Sequence, residues 1–174
     1  MDHMTILLLC LGLIAAATGS QKSRSGNENG MKQRRQIVFV CEHGAALSVV
    51  SAAWFNKIAR QEHLALHAIA RGVTPQKDLA VSARDGLKAD GVSFATRKPQ
   101  ALSVRDAAQA RRIIAFYPLP SRYSATARVE TWDDVPPTGT NYGLSRDAII
   151  KHLRQLIGEL KSEADANGSE SGNR

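Results

Sequence analysis

The chain has 174 residues, enough for one ordinary domain with tails, and its 43% hydrophobic content is enough for a normal core. The formal net charge is +7. Much of it sits in one polar stretch (Lys22, Arg24, Lys32, Arg34 and Arg35), and no recognition-helix, zinc-finger or aromatic-basic motif goes with it, so no nucleic-acid partner is expected.

Ile6 to Ala17 is a twelve-residue apolar run followed by Thr18, Gly19 and Ser20. That length suits the core of a signal peptide and falls short of a membrane span. Residues 1–20 are therefore expected to be a signal peptide, with the protein periplasmic or secreted and no stable membrane insertion after its removal. The alternative is a cytoplasmic protein whose translation starts at Met31. Removal of the leader takes Cys10 with it and leaves Cys41 as the one remaining cysteine, which rules out an internal disulfide, a zinc–thiolate cluster and a resolving thiol.

Residues 21–35 lack apolar periodicity and read as a basic linker. Gln36 to Val40 is a β-branched, apolar run suited to a strand covered on both faces. A helix follows from Ser48, its N-cap, with Val50, Trp54 and Ile58 recurring every four residues beside Val49 and Ala53. Ala65–Ala70 reads as a second strand, Leu79–Asp90 as a second helix and residues 92–102 as loop. Ser103–Ala110 reads as a brief helix, Arg111–Phe116 as a third strand and Val129–Trp132 as a fourth. The strongest helix carries Ile149, Leu153, Leu156 and Leu160 with Ile150 and Ile157 on one stripe and ends near Lys161; residues 162–174 read as a polar, disordered tail. Strands alternating with helices imply an α/β domain over residues 36–161, a doubly wound parallel sheet of about four strands flanked by helices.

In such sheets ligands bind at the carboxyl ends of strands, where Cys41 falls. A strand, a tight loop and a helix N-terminus make an anion site, because first-turn N–H groups lack partners inside the helix and the macrodipole adds positive charge. That field favours the thiolate, the nucleophilic form of cysteine. Gly44 permits a turn that a side chain would block, and the Ser48 hydroxyl can reach the Cys41 sulfur.

The segment VFVCEHGAALSVVSAAWFN resembles the phosphate-binding loop of the low-molecular-weight protein tyrosine phosphatases and thioredoxin-type arsenate reductases. The likeness continues through AIARGVTP, RRIIAF, WDDVPP and SRDAIIKHLRQLI. It implies a phosphotyrosine phosphatase I-like fold and a phosphate-binding loop of Cys41, Glu42, His43, Gly44, Ala45, Ala46, Leu47 and Ser48. It also implies hydrolysis of phosphate monoesters through a phosphocysteine on Cys41. Partners would be a phosphorylated small molecule, a phosphoprotein or another oxyanion; no cofactor and no metal are implied.

Three departures weaken the activity. The family loop carries an arginine that grips oxyanions bidentately; this C-E-H-G variant has Leu47 there, a loss of ~3 to 4 kcal/mol or more of transition-state binding. The leaving-group acid falls on Pro136, which leaves Asp134 as the catalytic aspartate if the loop shifts, with Asp133 and Asp134 as turn residues otherwise. No cysteine follows Cys41, so the internal relay of the arsenate reductases is absent and an external thiol would have to serve. Weak or degenerate hydrolysis, an inactive oxyanion- or phosphoprotein-binding module, and an arsenate reductase-like thiol redox protein therefore all stay open. His43 as imidazolium would add positive charge beside an anion; as a loop residue it points at solvent. A metal on Cys41, Glu42 and His43 is not expected, because consecutive residues on one turn rarely converge. Arg71, Arg97 and Lys98 are candidates to restore positive charge from neighbouring loops.

Overall fold

A computed structural model describes residues 36–124 and 127–170. The expected signal peptide, the basic linker and residues 171–174 lie outside the described residues.

Four strands, β1 (Gln36–Cys41), β2 (His67–Gly72), β3 (Ala110–Ala115) and β4 (Arg128–Thr131), form one parallel sheet in the order β2-β1-β3-β4. The helices are α1 (Leu47–Gln61), α2 (Val81–Ala89), α3 (Val104–Gln109), the single turn α4 (Ser121–Ser124) and α5 (Tyr142–Glu170). The apolar run of β1 exists because both its faces are covered. Ile37 and Phe39 join a core with residues of α1, α2 and α5, while Val38 and Val40 join a second core with Leu102, Ala107 of α3, Ile113 and Tyr123 of α4. The doubly wound α/β architecture expected from the pattern is the one observed. The chain leaves β1 for β2 on one side and returns to β3 on the other, so the topological switch point lies between the carboxyl ends of β1 and β3.

Most boundaries shift by a residue or two from the sequence pattern, and some differences carry a physical reason. β2 starts at His67, not Ala65, and runs to Gly72, because its parallel pairing with β1 extends to Cys41↔Gly72 while Leu64 and Leu66 pack on the core. The buried face of α1 is centred on Val49, Ala52, Phe55 and Ala59, with Trp54 and Ile58 at its margin. Its N-cap is Ala46 and no side chain caps it, so Ser48 is a helical residue of the first turn. Finally, α5 continues past Lys161 to Glu170. The carboxylate of Glu163 binds Arg111 at 3.0 Å and also engages Arg112, a β3 residue only 1% exposed that takes Glu159 at 2.8 Å. A buried guanidinium needs anionic partners, and the far end of α5 supplies them.

Where the sequence supplies its own stop signals the bounds fall close. Ser103 caps α3 through a complete capping box with Asp106, and the α5 stripe Ile149, Leu153, Leu156, Ile157 and Leu160 is buried.

Candidate active site

Cys41 is the last residue of β1 and is 8% exposed. It lies two positions on from Phe39 and four from Ile37, on the α1 side of the sheet that those residues face. The loop from Glu42 to Ala46 then turns the chain back into α1. Gly44, at φ +62, makes that turn, a conformation costly for any residue with a Cβ. The same glycine lies flat against Gly72: a Cβ on Gly44 would stand 2.7 Å from Gly72 N, and one on Gly72 would stand 2.6 Å from Gly44 N. Two glycines are thus needed for the loop to rest on the end of β2.

Four carbonyls, of Cys41, Glu42, His43 and Ala45, are turned towards the segment after β2. Val73 N–H donates to Cys41 O at 3.3 Å, Thr74 to Glu42 at 2.9 Å, Gln76 to His43 at 3.3 Å and Ala80 to Ala45 at 3.0 Å. Among the described residues, no backbone N–H from His43 to Ser48 donates a hydrogen bond within the chain. Unpaired amides in a run are rare in folded proteins, and here they sit at an uncapped helix N-terminus, with its positive end of the dipole. The contrast with α3, whose first turn is closed by Ser103 and Asp106, is within the same chain.

The Cys41 sulfur lies 3.1 Å from the Ser48 hydroxyl, both groups buried. Leu47, the residue before Ser48, is half-buried and packs on the main core, so it brings no donor to the loop. His43 donates from Nδ1 to the Thr74 carbonyl at 3.2 Å, and its Nε2 lies 3.8 Å from the Glu42 carboxylate, both side chains more than half exposed. This places it as a brace between the loop and the segment after β2, a role neither sequence alternative foresaw.

Of the candidate cations, Arg71 is spoken for, and Arg97 and Lys98 bring no bond to the loop. Arg71 makes a two-point ion pair with Asp106, at 3.0 and 3.1 Å. Burial pushes the Asp106 carboxyl up, but the hydrogen bonds from Arg71 and Ser103 outweigh it and hold it below the usual carboxylate range. Arg97 and Lys98 are exposed and make no hydrogen bond or ion pair among the described residues. Asp134 is on the loop before α5. Its carboxylate, 64% exposed, binds His152 Nε2 at 2.8 Å, and the His152 ring stacks on Trp132 at 4.7 Å. No hydrogen bond connects Asp134 to the Cys41 loop. Among the described residues no three His, Cys, Asp or Glu side chains gather as metal ligands.

Sequence reasoning passed over Tyr117, which follows β3 beside the switch point. Burial, and then the charges of Cys41 and Glu42, push its phenol up to about 12. In the sequence it reads only as the residue before Pro118, a strand-stopping signal.

Fold and site together define an α/β protein with a cysteine-bearing loop of free backbone amides at the switch point of a parallel sheet. Solved structures of the same fold are low-molecular-weight phosphatases and arsenate reductases. The protein tyrosine phosphatase of Entamoeba histolytica superposes with a TM-score of 0.63 at 15% identity, covering 74% of this chain and 98% of that one. The low molecular weight protein tyrosine phosphatase of Bacillus subtilis gives 0.62 at 19% identity, covering 74% and 99%. The arsenate reductase of Archaeoglobus fulgidus gives 0.55 at 22% identity, covering 70% and 98%. No protein-family model and no curated protein sequence matches the chain.

Proposed function

We propose that the protein binds tetrahedral oxyanions on the loop from Cys41 to Ser48 and hydrolyses phosphate monoesters there, weakly, through a phosphocysteine on Cys41. The observation that carries this reading is the Cys41 sulfur 3.1 Å from Ser48 Oγ, at the mouth of an uncapped helix lined by undonated amides. In the first step the Cys41 thiolate attacks phosphorus, the S–P bond forms and the ester P–O bond breaks, and the departing oxygen takes up a proton from solvent water. Water then attacks phosphorus, the S–P bond breaks and inorganic phosphate leaves. The amides and the helix dipole stabilise the charge on the non-bridging oxygens, and the Ser48 hydroxyl stabilises the leaving thiolate of the second step.

Two features make the turnover weak. Leu47 supplies none of the bidentate charge that an arginine would. Asp134, the expected leaving-group acid, would have to release His152 to serve. These same features favour a second reading, an oxyanion- or phosphoprotein-binding module without turnover.

Hydrolysis of an aryl phosphate by wild type, Cys41→Ser and Leu47→Arg separates the readings. A wild-type rate above that of Cys41→Ser, raised about 10²-fold by Leu47→Arg, supports the hydrolase. An inert wild type that gains activity in Leu47→Arg supports the binding module. Three inert proteins would sink the hydrolase reading.

A further inference from the structure

Two strands meet the switch point. β1 delivers Cys41, and β3 delivers Phe116 and Tyr117. The Phe116 N–H donates to Val40 O at 3.0 Å, continuing the β1–β3 ladder past the pair Val40↔Ala115. Tyr117 is therefore set beside the step from Cys41 to Glu42. Its ring is half-buried, but its hydroxyl oxygen is shut off from solvent and has no hydrogen-bond partner. The other two tyrosines behave differently: Tyr123 Oη donates to Leu102 O at 3.1 Å and Tyr142 Oη to Asp90 Oδ2 at 2.7 Å. A buried O–H without an acceptor destabilises a fold, and such groups are uncommon enough to ask what they are for.

We propose that Tyr117 is a substrate-binding residue, its hydroxyl donating a hydrogen bond to an oxygen of the oxyanion held over Cys41. This rests on the reading that the Cys41 loop binds oxyanions. The hydroxyl bonds neither the Cys41 sulfur nor the Glu42 carboxylate, although the charges of both act on it, and the Glu42 side chain is 68% exposed beside His43. A phosphate on the loop would supply the acceptor that this hydroxyl lacks among the described residues. With its phenol pushed up to about 12 by burial and those charges, Tyr117 keeps its proton throughout the neutral range and serves as a donor only. It thereby supplies a neutral donor to a site where Leu47 brings none and Arg71 is committed to Asp106. A neutral donor recognises the oxygens without adding charge, which suits reversible capture better than tight clamping.

Calorimetric titration of the full chain with inorganic phosphate, combined with thermal unfolding of the free proteins, tests this. Tyr117→Phe should bind phosphate about tenfold more weakly than wild type, the loss of one hydrogen bond to a charged group. The free variant should melt at or above the wild-type temperature, because it removes an unsatisfied buried hydroxyl. Tyr123→Phe, which breaks a satisfied bond in the second core, should melt lower and bind phosphate as wild type does. Equal affinity in Tyr117→Phe and wild type overturns the role of Tyr117 and leaves the loop reading standing. A fall in both affinity and melting temperature makes Tyr117 a structural residue and overturns it as well. Absence of saturable phosphate binding in wild type overturns the loop reading and Tyr117 together.

Discussion

Substituting Gly72 by alanine perturbs the loop from its seat on β2, without changing any residue of the loop itself. The new Cβ would stand 2.6 Å from Gly44 N, 2.7 Å from the His43 carbonyl carbon and 3.0 Å from Gly44 Cα. All three are backbone atoms, so no side-chain rotation relieves the contact. Gly72 itself is held from behind, its N–H donating to Gln100 O and its carbonyl accepting from Leu102 N, each at 2.8 Å. The loop has to move instead. Overpacking of this kind costs about 1–3 kcal/mol, and for a domain of this size each kcal/mol lowers the melting temperature by about 3–5 °C. A displaced loop also spreads the amides of His43 to Ser48, and a misplacement of ~1 Å at a binding constellation can cost on the order of 10²-fold. Thermal unfolding followed by circular dichroism, with phosphate titration on the same samples, measures both effects. Gly158→Ala is the internal control: its Cβ meets nothing within 4 Å, and alanine in a helix is favoured by up to about 1 kcal/mol. A Gly72→Ala protein that melts and binds phosphate like wild type would refute the claim that the loop's shape is set by its seat on β2.

Other outcomes follow from the same contacts. Asp134→Asn should leave aryl phosphate hydrolysis within about twofold of wild type if His152 holds the carboxylate away from Cys41; a loss near 10²-fold would restore Asp134 as the acid. At alkaline pH, Tyr142 should ionise only near 12, raised by burial and by the Asp90 carboxylate that accepts its hydrogen bond. Because the folded value lies above the unfolded one of about 10, this group's contribution to stability is intact below pH 10 and is lost as pH rises towards 12. Absorbance of tyrosinate in wild type and Tyr142→Phe, alongside unfolding at each pH, reads both the late ionisation and the flatter pH dependence expected of the variant.

The parts of the fold that sequence reveals are those in which local signals agree with tertiary ones. β1 is a short apolar run because both faces are covered, Ser103 and Asp106 spell out the α3 cap, and the α5 stripe repeats at helical spacing. The end of α5 is hidden because its support is not periodic: Arg111 and Arg112 reach Glu163 from about fifty positions away, so a polar segment reads as a tail. Arg71 looks like spare positive charge until Asp106, 35 positions on, takes it. In the site, Cys41, Gly44 and Ser48 are visible because a strand, a glycine and a helix start lie side by side in the chain. Tyr117 is not, since its meaning arises only when β3 docks alongside β1 and leaves its hydroxyl buried without an acceptor, in the field of the Cys41 and Glu42 charges. The partner of Gly44 is likewise visible only in space, where a glycine at the end of β2 meets it.

The most direct measurement is the rate at which iodoacetamide alkylates Cys41, followed by peptide mapping so that Cys10 is counted separately, with and without inorganic phosphate. If the sulfur faces a bowl of amides that takes up oxyanions, Cys41 is alkylated in the free protein and phosphate slows the reaction in a saturable way. Alkylation that phosphate leaves untouched, or a Cys41 that never reacts until the protein unfolds, would contradict it.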